Sequence, residues 1–355
     1  MAPRAANGLR EYVGCVRVHT AYGDGVEKLP AIVKAANTAG LDFLVVTDTN
    51  SVHYMTAGLE GWNEQTAVLV GQEIAGAGGH CLALGVKGDV SDLRDRPEAC
   101  LDAIAAQGAA AIPCHPHDPR VPLAPGDGSA WSKGNTGKVH GVEIWSFMHD
   151  WRAGVSILNR RGRVKHPLRH LKGPDSRALR LWDELLQQGP TAAFASLDAH
   201  GYRRRPKSDL TAFSYSDLFG TLRMHILVPP FSRRWFEDKQ VILDALRRGQ
   251  SFIANDGLAP SNGFRFEARR EDGSVIPMGG SAAFEPPMRL RVRLPQRCKV
   301  RLITGGQAWF TNTVDRFDVE LTGPSVIRLE AWLDGHPWIF SNPIHLLPAS
   351  PQVVS

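Results

Sequence analysis

Eight side chains able to hold a proton or a cation stand at the ends of apolar runs: His19, Asp24, Asp48, Glu73, His80, His115, Asp198 and His200. Imidazoles mixed with carboxylates, with no thiolate among them, suit Zn, Mn or Fe(II) rather than calcium. Carboxylates can also bridge two cations about 3.5–4 Å apart, an arrangement that activates water and clamps a phosphoryl or acyl oxygen. Taken singly, each residue has a bland reading. A lone histidine is most often structural, and Asp48 suits an Asx-type turn as well as a ligand. Cys114 beside His115 imitates a cysteine nucleophile without further support, and His117 reads as a loop residue. Eight such groups in succession make a stronger statement than any one.

The elements that must carry them alternate strand and helix. Residues 12–19 read as a strand that stops at His19 and turns through Gly23-Asp24-Gly25. Residues 26–39 have helical spacing (Leu29, Ile32, Val33, Ala36), with Pro30 near the start and Gly40 past the end. Residues 41–46 then form a buried strand ending in Asp48, which completes a βαβ unit. Further strands are predicted at 66–70, ending at Glu73, and at 81–86, entered from His80. A helix at 97–107 leads to a strand at 109–112 that ends at His115, and residues 139–145 carry Glu143. Residues 146–174 read as an irregular basic excursion. A helix at 176–188 precedes the strand at 191–196 with Asp198 and His200 at its end, and residues 241–248 form one more helix. Polar groups recurring at strand ends favour an α/β barrel over an open sheet.

After Gly257 the texture changes to period-two alternation, as in residues 264–269, 288–294 and 326–332. Turn signals at Asp272-Gly273, Gly279-Gly280, Gly305-Gly306 and Asp334-Gly335 separate these runs. The expected division is a barrel over 1–257, a small antiparallel β-sandwich over 258–348 and a tail at 349–355.

Bulk composition narrows the function classes. A net charge of +5 over 355 residues is mild. It gathers partly in Arg160-Arg161-Gly162-Arg163 and Arg203-Arg204-Arg205, clusters too short for a continuous nucleic-acid face but compatible with an anionic substrate. The five scattered cysteines form no C-x-x-C and no disulfide framework, which fits a reducing cytoplasm. No signal peptide is visible, and no apolar run approaches the roughly 20 residues that span a bilayer. Self-association is left open.

The order of motifs resembles the PHP (polymerase and histidinol phosphatase) metallohydrolases, in particular the CehA/McbA-like branch with a C-terminal β domain. The resemblance runs through Val16-Arg17-Val18-His19-Thr20, Gly23-Asp24-Gly25, Thr47-Asp48-Thr49, Gly71-Gln72-Glu73, His80 before Leu82-Ala83-Leu84-Gly85, Cys114-His115-Pro116 and Asp198-Ala199-His200, and ends in His336-Pro337-Trp338-Ile339-Phe340-Ser341-Asn342-Pro343. It implies a distorted (β/α)7 barrel with up to three metals at its carboxyl rim. One metal would use His19, Glu73, Asp198 and residue 17. A second would use Glu73, His80 and His115, and a third Asp24, His200 and residue 49.

The chain departs from that pattern at two ligand positions, where Arg17 and Thr49 replace histidines. Arginine stays protonated and offers no lone pair, so it repels a neighbouring cation. One or two metals (Zn, Mn or Fe) are therefore expected rather than three. Three readings follow. In the first, the chain is a metal-dependent hydrolase of a small phosphate ester, or of a carboxylic or carbamic ester. Arg17 then meets substrate charge, and Asp24 and His200 hold a weak ion or move protons. In the second it binds an anionic small molecule without hydrolysis. In the third it is a scaffold, with Arg17 paired to Glu73 or Asp198 in place of a metal.

Overall fold

The structure, a computed structural model, describes residues 8–76, 79–116, 138–153, 155–156, 158–201 and 213–349. His117 and the Arg203-Arg204-Arg205 cluster lie outside the described residues.

The first strand, β1 (Arg10–Val18), is buried almost throughout and pairs in parallel with β2 (Phe43–Val46). Between them runs α1 (Leu29–Thr38), which buries Leu29, Ile32, Val33 and Ala36 against the sheet. A four-residue helix, α2 (His53–Thr56), and the edge strand β3 (Gly61–Asn63) lead to β4 (Thr66–Val70), parallel to β2. The continuous β-branched and leucine runs of β2 and β4 are what strands covered on both faces require.

The chain then folds into an antiparallel ribbon of β5 (Gln72–Gly76), β6 (Gly79–Leu84) and β7 (Ala110–Pro113), with α3 (Pro97–Ala106) between the last two. A separate parallel pair follows, β8 (Gly141–Ser146) and β9 (Ala192–Ser196). The link between them carries α4 (Phe147–Arg152), α5 (Arg160–Lys165), a 3-10 turn (Pro167–His170) and α6 (Ser176–Gln188). In α6 the Asp175 carboxylate caps the Arg177 N–H, and Trp182, Leu185 and Leu186 face inward. A short α7 (Tyr215–Leu218) precedes β10 (Leu222–Val228), α8 (Trp235–Arg248) and β11 (Ser251–Asn255). Gly249 ends α8 with φ of 69°, a left-handed cap that glycine adopts without penalty.

Among the described residues the expected barrel is not closed by hydrogen bonds. Its strands fall into three sheets, and β10 runs antiparallel to β1, with β11 antiparallel to β10. β10 is hidden in the sequence because Arg223 and His225 interrupt its apolar run. Both are reconciled with burial by carboxylates: His225 contacts Glu11 and Asp256, and Arg223 contacts Asp256. The excursion after β8 is also more regular than expected, since it contains α4 and α5.

Past Gly257 come β12 (Arg265–Arg270), β13 (Val275–Pro277), β14 (Ser281–Ala283), β15 (Met288–Thr304), β16 (Gln307–Leu321), β17 (Ser325–Leu333), β18 (His336–Ser341) and β19 (Ile344–Leu347). Gly305-Gly306 turns β15 into β16, and Asp334-Gly335 turns β17 into β18. Pairing is antiparallel except for β14 with β19. β18 pairs with β11, so the main sheet continues across Gly257. Apolar side chains form a large core around β1, β2, β4, β8 and β9 and a second around β12, β15 and β17. Leu227, Phe252 and Ala254 reach into the second core from the first part of the chain. Among the described residues no helix is long and apolar enough to cross a membrane.

Candidate metal centre

At Arg17 the β1–β2 register slips between Val16 and Val18, and Arg17 adopts φ of 63°. The bulge turns its side chain inward. Beside it, Leu197 and Ala199 donate N–H groups to the Val16 and Arg17 carbonyls, and His19 donates back to Ala199. These bonds clip the end of β9 to the end of β1 and bring Asp198 and His200 beside Arg17 and His19. Asp198 (φ 53°) and His115 (φ 31°) are left-handed too. Three of the eight non-glycine residues with positive φ among those described thus share one site. Left-handed backbone at residues with a Cβ costs on the order of 1–3 kcal/mol each, and such strain gathers at functional sites.

The remaining groups arrive from the neighbouring sheet. The Glu73 amide donates to the Asp48 carbonyl and the Glu73 carbonyl accepts from Asn50, which fixes β5 beneath the end of β2. His80 on β6 places Nδ1 2.5 Å from Glu73 Oε1. Cys114 donates its N–H to the His80 carbonyl, and the His115 N–H donates to Glu143 Oε2 at 2.6 Å.

Arg17 occupies the middle. Its Nε and Nη2 donate to the two oxygens of Glu73 at 2.7 and 2.8 Å. Nη2 also stands 3.3 Å from His115 Nε2 and 3.3 Å from Asp198 Oδ1, and Nη1 lies 3.5 Å from Glu143 Oε1. The side chain is 3% exposed, and its N–H groups face carboxylates and imidazole rather than the mouth of the site. The expectation that it meets substrate charge therefore finds no solvent-facing donor. Burial disfavours its charge, but Asp198, Glu73 and Glu143 outweigh that and hold it protonated well above the usual arginine range.

His19 stacks on His200, ring centroids 4.1 Å apart. Its Nδ1 lies 3.1 Å from Asp24 Oδ1 and its Nε2 lies 3.1 Å from Glu73 Oε2, yet neither nitrogen is aligned for a hydrogen bond. Asp198 Oδ1 and His115 Nδ1 are likewise buried without a hydrogen bond. Against the burial that would lower it, Asp24, Glu73 and Asp198 push the His19 pKa up to about 10. His115 moves the other way, lowered by burial and by His149, Arg17 and His80 around it. Burial would raise the Asp24 carboxyl, but His19 and His200 hold it far below the usual carboxylate range.

The expected ligand sets regroup. His19, Asp198 and His200 bring one ligand atom each to within 4.8 Å of one another, the only such group of three among the described residues. Glu73, His80 and His115 also meet, His80 Nδ1 on Glu73 Oε1 and the His80 and His115 rings 5.0 Å apart, but Arg17 Nη2 stands against Glu73 Oε1 and His115 Nε2. Asp24, His200 and Thr49 touch at the mouth: His200 Nε2 lies 3.1 Å from Asp24 Oδ2, and Thr49 Oγ1 donates to the same oxygen at 3.3 Å. Asp48 belongs to none of them. Its carboxylate accepts from the Thr20 N–H at 2.6 Å and the Thr20 hydroxyl at 2.8 Å, and so braces the loop after β1. Cys114 is fully buried with its thiol pKa pushed well up by desolvation, which disfavours the thiolate.

Sequence reasoning did not place Glu143, His149 and Arg152 in the site. Glu143 is buried, accepts from His115 and Ser196 and reaches Arg17. His149 stacks on His115 at 3.9 Å with Nε2 3.7 Å from Asp198 Oδ2, and Arg152 Nη1 lies 4.0 Å from that oxygen. For His149 and Arg152 the signal is the strand-end rule itself, since β8 ends at Ser146 and α4 starts directly after it.

A cation fits one part of this cluster and not another. One orphaned His19 nitrogen and the orphaned Asp198 Oδ1, beside His200, are what a divalent ion would satisfy. The Glu73 carboxylate is already forked by Arg17.

No protein-family model matches the chain, and no curated protein sequence does. Among solved structures, a two-domain protein from Bacteroides vulgatus, described as containing a predicted PHP-like metal-dependent phosphoesterase, is similar at 14% identity over 97% of each chain, with a TM-score of 0.49. A protein from Bifidobacterium adolescentis described as a candidate metal-dependent phosphoesterase is similar at 12% identity, with a TM-score of 0.34, covering 56% of this chain and 92% of that one. TM-scores below 0.5 at these identities establish neither a shared fold nor a shared activity.

Proposed function

We propose that this chain is a PHP-like metal-dependent hydrolase of small phosphate esters, in which His19, Asp198 and His200 hold one divalent cation (Zn, Mn or Fe). The observation that carries the reading is the convergence of those three ligand groups, with His19 and Asp198 left short of hydrogen bonds. Three buried carboxylates, Glu73, Glu143 and Asp198, face one guanidinium, which alone does not balance them. Such an ion supplies Lewis-acid activation of water and of a phosphoryl oxygen.

The chain's own residues divide the remaining work. Asp24, whose side chain is half exposed at the mouth, steadies His200 through Nε2. His80 is partly exposed and held by Glu73 through Nδ1, the arrangement of a carboxylate-oriented acid–base imidazole. The basic excursion, with Arg152 at the site's edge, favours an anionic substrate over a neutral one. We assign the site to a barrel-derived unit over 1–257. Residues 258–348 are assigned to a second, mainly antiparallel unit joined to it where β18 pairs with β11. Five free, buried cysteines accord with a cytoplasmic setting.

A second reading, a non-hydrolytic binder or scaffold, draws on the Arg17–Glu73 fork, which withdraws the bridging carboxylate from cation duty. Elemental analysis of the purified chain, paired with cleavage of a generic phosphodiester and a naphthyl ester with and without chelator, separates the readings. The hydrolase reading expects about one transition metal per chain and chelator-sensitive phosphodiester cleavage. Cleavage of the naphthyl ester alone would move the substrate class to carboxylic esters. A metal-free chain that cleaves neither would leave the binder.

A further inference from the structure

We propose that Arg17 is a tethered cation standing where a second metal ion would otherwise sit, so that the pocket of Glu73, His80 and His115 is closed to divalent ions. This goes beyond the hydrolase reading and does not depend on turnover, because it concerns how many ions the cluster admits.

The shape of the contacts carries the inference. An ordinary buried arginine makes a fork with one carboxylate and satisfies its other N–H groups on nearby oxygens. Here a single nitrogen, Nη2, has Glu73 Oε1 at 2.8 Å, Asp198 Oδ1 at 3.3 Å and His115 Nε2 at 3.3 Å around it. Two carboxylate oxygens and an imidazole nitrogen converging on one point form a coordination set, with an N–H group at its centre in place of an ion. The imidazole accepts from Nη2, so its lone pair is directed at the guanidinium. The other nitrogens extend the same neutralisation, Nε to Glu73 Oε2 and Nη1 toward Glu143.

The backbone is built for this placement. The side chain reaches the centre only because the β1 register slips at Arg17 and the residue takes φ of 63°, a conformation that costs energy at any residue with a Cβ. Arginine cannot lose its proton at accessible pH. Its charge and its N–H groups therefore remain in the pocket, and an ion entering it would have to share the volume the guanidinium fills. Asp198 lies between the two positions, its Oδ1 3.3 Å from Arg17 Nη2 and 3.6 Å from His19 Nε2. It thus spans the guanidinium and the neighbouring cation position, as a carboxylate spans two ions.

The test counts ions on the full-length chain, stripped with chelator and titrated with Mn²⁺. Arg17→His and Arg17→Ala are each expected to bind one ion more than the wild type, whatever number the wild type binds, and Arg17→Lys to bind the same number as the wild type. Arg17→Ala should melt lower than the wild type in chelator and regain more of its melting temperature on adding Mn²⁺ than the wild type gains. Equal ion counts in all four proteins would overturn the proposal. So would failure of both Arg17→His and Arg17→Ala to fold even with Mn²⁺, since the vacated pocket should then accept the ion. His80→Ala in the otherwise wild-type chain gives an independent check. It should cost no ion, and loss of one would show that the pocket was open to metal all along. A wild type that binds no ion, with variants that bind one, would sink the hydrolase reading and leave this one standing.

Discussion

Two buried arginines in this molecule are each gripped by a carboxylate fork, and they differ in what surrounds the fork. Arg328 on β17 meets Asp183 on α6 through two bonds of 2.8 Å and Glu330 at 2.7 Å, while Arg301 closes on Glu330 at 3.3 Å. Its guanidinium lies 5.0 Å from the Trp182 ring, and Arg328, Asp183 and Glu330 leave no buried polar atom without a hydrogen bond. Two positive groups answer two negative ones on regular backbone. Arg17 sits in left-handed backbone among three buried carboxylates, and its neighbours His19, His115 and Asp198 keep unpaired atoms. The first cluster is balanced and joins the two parts of the chain. The second is strained and sets three carboxylates about one guanidinium, the asymmetry on which the proposed cation site rests. A buried ion pair alone says nothing about function; the imbalance around it does.

Substitutions can break or sharpen this contrast. The largest effect is expected at the unbalanced cluster, where Asp198→Asn or His200→Ala removes a proposed cation ligand. Mn²⁺ affinity should fall by more than the ~10–100-fold typical of residues that only orient a ligand. Calorimetric titration measures it, and an affinity within threefold of wild type would place the ion elsewhere. At the balanced cluster, Arg328→Ala leaves Asp183 without its fork and Glu330 with Arg301 alone, and should lower unfolding stability by about 3–5 kcal/mol. Urea denaturation reads the loss, and Mn²⁺ should not restore it. Restoration would erase the distinction drawn between the two clusters.

His225 supplies a third, pH-dependent case. Burial lowers its affinity for a proton, but Asp256 at 3.0 Å and Glu11 at 2.9 Å raise its pKa to about 9. The folded value lies above the ordinary 6.5, so the stabilisation is complete below about pH 6.5 and is lost as pH climbs through about 9. The loss is on the order of a few kcal/mol. The urea midpoint should drop between pH 6 and pH 9.5 in the wild type and drop much less in His225→Gln; equal drops would remove the histidine from the account. The smallest effect belongs to the exposed Arg291–Asp318 pair at 3.1 Å, where Asp318→Asn should change stability by less than about 1 kcal/mol. A larger thermal shift would mean that exposed pairs matter here as buried ones do.

How far the sequence reveals this arrangement depends on how local the signal is. The α6 helix is legible end to end, because its capping Asp175, apolar spacing and closing Gly189 all lie within one segment. His19, Asp24, Glu73, His80, His115, Asp198 and His200 are legible because each stands at the edge of an apolar run. What stays hidden is set by partners distant in the chain. β10 does not read as a strand, since His225 and Arg223 look polar until Glu11 and Asp256 are beside them. The role of Asp48 depends on Thr20 across the sheet, and Glu143 lies mid-strand, where alternation gives it no distinction. The open, three-sheet arrangement depends on hydrogen bonding between strands that local periodicity does not encode. The inward turn of Arg17 depends on a register slip that no spacing of residues announces.

The account rests on a cation gripped by His19, Asp198 and His200. Anomalous diffraction from crystals of the chain grown with Mn²⁺ or Zn²⁺ tests this most directly. It predicts a single strong peak within coordination distance of His19, Asp198 and His200, and none between Glu73 and His115. No peak at the first position, with the His19 ring turned to bond Asp24 or Glu73 instead, would contradict it.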